Sequence, residues 1–255
     1  MRVLWLHISG LLIAVLLVAS IAGSSAQEAT PVGAAASATP TERSFVWDRI
    51  DVTVELREDN SLHVTERGRV DFHGGPFRSG YREIPWSTIE QMRNISVGEV
   101  IASNVQPYQY VSPHDFSNKE PKTYTHQIIG PMMRIDWSFS PATNQARTFE
   151  LAFDAYGALQ SYPDAAHPYY QQIRWIAVGS ELTESAPVKE ASMTIVLPQP
   201  VDPDKTFVQG PGGDLPEDHT KDGKTWTWRD STLGKGDALE VRLQFEPLVK
   251  ANEPS

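Results

Sequence analysis

The stretch LHVTERGRVDFHGGPFRSGYREIPW, residues 62–86, decides the fold of this 255-residue chain. Read at period two, Leu62, Val64, Glu66, Gly68, Val70 and Phe72 share one face, and His63, Thr65, Arg67, Arg69 and Asp71 share the other. The first face is the core side of a strand. Glu66 therefore falls in the apolar row, where a bare carboxylate costs several kcal/mol (about 3–5 for a stranded partner), so it is expected either to find a cation or to keep its proton. Arg82 is the nearest suitable cation. It follows the breakers Gly74-Gly75-Pro76 and Ser79-Gly80 and precedes Ile84-Pro85, so this reading puts it on a loop that a forked Glu66 to Arg82 pair pins to the strand. Two roles are open for the pair: a structural clamp, or the wall of a ligand or catalytic pocket.

Working outward, Ile50, Val52, Val54 and Leu56 alternate with Asp51, Thr53, Glu55 and Arg57, and Glu58-Asp59-Asn60-Ser61 is a polar turn. The two runs predict a β-hairpin. Beyond Trp86, Ser87 to Met92 offers at most a helical turn. Strands are expected at 94–103, 106–111, 124–129, 132–139, 148–153, 173–178, 189–197 and 238–245, with one more carrying Trp226 and Trp228. Short strands between regular breakers predict an all-β fold, an antiparallel β-sandwich that is immunoglobulin-like or larger, with little helix beyond the N-terminal segment.

That segment carries Arg2, then an apolar run densest at residues 11–18, then Ser24-Ser25-Ala26. It has the form of a signal peptide over 1–26 with Gln27 as the new N-terminus, or of an uncleaved anchor. Residues 27–44, rich in Ala, Thr, Ser and Pro, read as a disordered linker. The folded domain is expected over 45–248, as one sandwich or two sub-sandwiches, with a tail at 249–255.

The chain is acidic, with a formal charge of −10, which argues against nucleic acid and against electrostatic docking on anionic lipid. It has no cysteine, so disulfides, thiolate metal sites and thiol nucleophiles are excluded. His63, His73, His114 and His126 lack the spacing of a zinc hydrolase, and no metal or cofactor is expected. Residues 218–223 open like a calcium loop, but Arg229 stands where the bidentate carboxylate belongs. Gly210-Pro211-Gly212-Gly213 lacks a P-loop lysine and reads as a turn. Asn94-Ile95-Ser96 is a glycosylation sequon. Residues 154–170 form an aromatic-rich segment broken by Gly157, Pro163 and Pro168. Its Tyr156, Tyr162, Tyr169 and Tyr170 are a candidate binding loop that stacks on sugar rings, or a plug at the end of the sandwich.

The order of these blocks carries a resemblance. Ser61-Leu62-His63-Val64-Thr65-Glu66, then Phe72 and glycines, then Tyr81-Arg82-Glu83-Ile84-Pro85 resemble the N-terminal region of the bacterial predicted membrane proteins of domain-of-unknown-function family 2207. Phe149-Glu150-Leu151 with Gly157-Ala158-Leu159, Ile173-Arg174-Trp175, residues 188–198 and residues 239–247 resemble its later blocks. The resemblance implies an extracytoplasmic β-sandwich of a cell-envelope protein, secreted or tethered to the membrane by the N-terminal segment or by transmembrane helices beyond this sequence.

Three functions follow as expectations. The first is a non-enzymatic binding module for an envelope protein or glycan. The second is an envelope polysaccharide hydrolase using carboxylates such as Glu66 and Glu83, which requires the two to face each other about 5–10 Å apart. The third is a structural spacer.

Overall fold

The computed structural model describes residues 42–162, 170–210 and 218–248. The signal segment, almost all of the linker, Tyr169 and Pro211 to Gly213 lie outside them. Strands β1 (Ser44–Leu56) and β2 (Leu62–His73) form the expected hairpin, with Val54 opposite Val64 and Val52 opposite Glu66. Asn60 turns the corner with φ 69°, a left-handed value that asparagine tolerates. β3 (Phe77–Pro85) follows, then β4 (Gln91–Ile101), β5 (Asn104–Pro107), β6 (Gln109–Tyr110), β7 (Thr123–Ile129), β8 (Met132–Ala142) and β9 (Gln145–Tyr156). The second part of the chain supplies β10 (Gln160–Tyr162), β11 (Tyr170–Val178), the one-turn helix α1 (Ser180–Ser185), β12 (Ala191–Val196), β13 (Phe207–Gln209), β14 (Asp218–His219), β15 (Thr225–Asp230) and β16 (Leu239–Phe245).

The strands make one sheet of eight, in the order β14-β15-β12-β1-β2-β9-β4-β5, and two sheets of four, β3-β8-β7-β6 and β10-β11-β16-β13. Both small sheets cover the same face of the large one. Phe72 and Phe149 of the large sheet pack on Phe139 of β8, with ring centroids 5.7 and 4.9 Å apart. Phe153 meets Trp175 of β11 at 6.1 Å. The fold is thus an all-β sandwich with one broad layer facing two narrow sheets side by side. Its opposite face is polar, held by pairs such as Arg69 with Asp48, Lys189 with Asp48 and Arg67 with Glu150.

A bulge between Trp47 and Arg49 adds one residue to β1, so that Trp47 and Ile50, which strict alternation would set on opposite faces, both point into the core. A second bulge, between Arg93 and Ser96, does the same for Met92 and Val97 in β4.

Four details differ from the sequence reading. Most pairings are antiparallel, but β1–β12 and β6–β7 are parallel. Arg82 sits inside strand β3, not on a loop. Gly80 acts there not as a breaker but as a clearance, since a Cβ would lie 2.8 Å from Cζ2 of Trp137, and Pro85 falls at the end of an edge strand where no further ladder bond is needed. Ser87 and Thr88 form a plain turn, with β4 beginning at Gln91. Strand β9 runs on to Tyr156, because Asp154 finds partners within the sheet and need not break it.

Candidate functional site

Period-two geometry aims Glu66 inward from β2, between Val52 and Leu151 on the flanking strands. Arg82 reaches it from β3 in the facing sheet. The guanidinium donates from Nε to Oε2 at 2.5 Å and from Nη2 to Oε1 at 2.7 Å, a forked pair that uses both carboxylate oxygens. Glu66 is 8% exposed and Arg82 2%. Trp47, Trp137 and Ala177 close in from three directions and leave a cavity of about 40 Å³, room for little more than a water molecule. The pair therefore lies where the three sheets meet. The arginine takes both carboxylate oxygens, and the site has no space for a substrate.

Glu83 does not join it. As the next residue along β3 it points to the outer face, where Arg134 Nη1 donates to its Oε1 at 3.3 Å. The two acids proposed for a hydrolase thus stand on opposite sides of one sheet.

The described tyrosines of the candidate binding loop fall on three strands, β9, β10 and β11. Tyr156 ends β9 and lies under the Arg93 guanidinium, 4.8 Å from the ring centre. Tyr162 and Tyr170 are paired backbone positions at the ends of β10 and β11. Tyr169 lies outside the described residues.

Three polar groupings escaped the sequence reading. On the outer face of the large sheet, Asp154 accepts from Asn94 Nδ2 at 2.6 Å, pairs with Arg57 at 3.0 Å and lies 2.7 Å from His63 Nδ1. Burial works to raise the Asp154 pKa, but the bonds from Asn94 and His63 and the charge of Arg57 outweigh it and hold it below the usual carboxylate value. The bulge in β4, with Asn94 at φ 52°, delivers that amide, which is the acceptor of the glycosylation sequon. At the other end of β4, buried Glu99 takes Arg147 Nη1 at 2.6 Å and the Tyr108 hydroxyl at 3.2 Å. Burial first, and then the Glu99 charge, push the Tyr108 pKa up.

The third grouping is a concavity of about 310 Å³ on the outer face of the β3-β8-β7-β6 sheet, bordered by Tyr81, Asp136 and the 112–121 loop with Phe116, Ser117 and Asn118. No spacing rule finds it, because its two halves are 35 residues or more apart in sequence and meet only through the β3–β8 ladder.

Among the described residues, no group of three or more His, Asp or Glu side chains has a metal-holding arrangement. After β14, residues 220–224 form a turn in which Asp222 Oδ1 accepts from Lys224 N at 3.0 Å and Thr220 Oγ1 at 2.6 Å. No described helix is long and apolar enough to cross a membrane.

No curated protein matches the chain. Among solved structures, it is similar to a candidate protease from Parabacteroides distasonis, with 9% identity and a TM-score of 0.46, over 80% of this chain and 40% of that one. A candidate nutrient-binding protein from Legionella pneumophila matches at 9% identity and a TM-score of 0.43, over 78% of this chain and 66% of that one. The folded domain of Mycobacterium tuberculosis LppM matches at 9% identity and a TM-score of 0.25, over 80% and 92%. The chain thus spans less than half of the first of these proteins. Residues 47–245 match the family described as "Predicted membrane protein (DUF2207) N-terminal domain", a match that covers most of the chain, and the protein belongs to that family.

Proposed function

We propose that this domain is an extracytoplasmic binding module of a cell-envelope protein, taking up a protein or glycan partner without transforming it. One observation carries the reading. The described residues bury three carboxylates, Glu66, Glu99 and Asp154, and each is held by an arginine: Arg82, Arg147 and Arg57. Acids fixed in this way anchor strands and sheets, whereas a proton shuttle needs a group free to change its charge. The extracytoplasmic address draws its support from the apolar N-terminal segment with small residues before Gln27, together with the predicted membrane character of the family.

The test incubates the full chain with insoluble cell-envelope material and follows two readouts, protein retained on the pellet and reducing ends released into solution. Retention without release is the expected result. Release of reducing ends that disappears with Glu66→Gln would overturn the reading in favour of a hydrolase. A fusion of the chain to alkaline phosphatase tests the address separately, since that enzyme is active only outside the reducing cytoplasm.

A further inference from the structure

We infer that residues 126–129 of β7 form a docking edge for an extended strand of a protein partner, one whose apolar side chains alternate with neutral or basic ones. The proposal rests on the binding-module reading and gives it a place. The ladder on this side of β7 stops short. Parallel β6 pairs only with Thr123 and Tyr124, and Val111 N closes it by donating to the Tyr124 carbonyl at 2.9 Å. Successive residues of a strand turn their backbone groups to opposite sides, and β7 pairs with β8 without a bulge. The groups of His126 and Ile128 therefore face the same way as those of Tyr124, toward a side where no described strand meets them. β4 of the large sheet is also short of cover: β5 pairs with it only from Gly98 to Ile101. The Tyr124 hydroxyl, donating to the Ile95 carbonyl at 2.6 Å, ties the two strands together.

The side chains indicate what kind of strand fits. By period two, His126 and Ile128 share the face of Tyr124, and of Ile135 and Met133 across the ladder, which is the face that packs on the large sheet. Ile135 and Met133 are buried, yet Ile128 is 55% exposed, and Ile129 on the other face is 47% exposed. A core-facing isoleucine left in water is what a layer one strand short leaves behind. Exposed edges are ordinarily guarded by charge, proline or a bulge, and residues 126–129 have none of these. Residues 123–133 contain no Asp, Glu, Lys or Arg, in a chain that is 21% charged. An unguarded edge of this kind takes an added strand through main-chain hydrogen bonds, while alternate side chains set the choice of partner. The formal charge of −10 disfavours a second copy of the chain as the occupant, and it favours neutral or basic residues between the apolar positions of the incoming strand.

The experiment titrates the full chain with two acetylated and amidated peptides, one alternating valine with lysine and one alternating valine with glutamate, by calorimetry, and follows amide hydrogen exchange by NMR. The lysine peptide should bind, about tenfold more tightly than the glutamate peptide at low salt. It should slow exchange of the His126 and Ile128 amides, while those of Thr125 and Gln127, which face β8, change little. Ile128→Lys puts a charge on the edge at an exposed position, so it should abolish binding and leave the melting temperature unchanged. Binding that the variant leaves intact, or that slows neither amide, would overturn the edge while the binding-module reading stands. Equal affinity for the glutamate peptide would overturn the partner's chemistry. Failure of both peptides would also overturn the edge, with the retention assay still deciding the broader reading. A dimer in sedimentation that Ile128→Lys dissolves would hand the edge to a second copy and overturn the assignment of a separate partner.

Discussion

Trp137 lies flat along Gly80, so close that a Cβ on the glycine would come within 2.8 Å of Cζ2 and 2.9 Å of Cε2 of the indole. Gly80→Ala should therefore destabilise the domain by about 1–3 kcal/mol, since neither the ring nor the strand has room to move. Denaturant unfolding checks it. Combining Gly80→Ala with Trp137→Leu should recover part of the loss, and strict additivity would show that the two residues do not compete for the same space.

Arg82→Ala leaves the Glu66 carboxylate buried without its partner. The expected cost is about 3–5 kcal/mol, and an unshifted melting curve would remove the clamp role. Replacing the pair by Glu66→Leu with Arg82→Met should cost much less than either single change, because no charge is then left stranded.

Asp154 contributes stability with a definite pH sense. Its folded pKa lies below the usual value of about 4, so the unfolded chain takes up the proton first, and the contribution is present above that value and lost as pH falls through the folded one. Asp154→Asn should flatten the acid limb of a stability–pH curve. Asp154→Ala at neutral pH should cost about 1.5–3 kcal/mol by freeing Asn94, His63 and Arg57 at once.

His126 acts near neutrality. Burial lowers its pKa in the folded protein, and its Nδ1 is buried beside Tyr110 with no hydrogen-bond partner among the described residues. The unfolded state protonates first as pH falls below about 6.5, so stability should drop between about pH 6.5 and the lower folded value. His126→Phe should abolish that part of the drop when chemical unfolding is compared at pH 7.5 and 5.5.

The all-β class was legible because burial on one face imposes a period of two, which β12, β1 from Ile50 onward, most of β2 and the first half of β16 keep plainly. Glu66 stood out for the same reason, as an acid in an apolar row. What stayed hidden came from contacts between distant elements. Gly80 looks like a breaker until Trp137, 57 residues later, is seen to occupy its missing side chain. Asp154 looks like the start of a loop until Asn94, His63 and Arg57 satisfy it. The Tyr81 concavity depends on the β3–β8 register, which no local pattern encodes.

The parallel seam between β1 and β12 sets an order of assembly. β1 finds its hairpin partner β2 within a few residues, but its other edge waits for residues 191–196, some three-quarters of the way along the chain. While the protein is being made, the strand that becomes the middle of the large sheet is a raw edge, open to any extended segment nearby. A chain stopped after β9 would keep that edge permanently, and should self-associate where the whole chain does not.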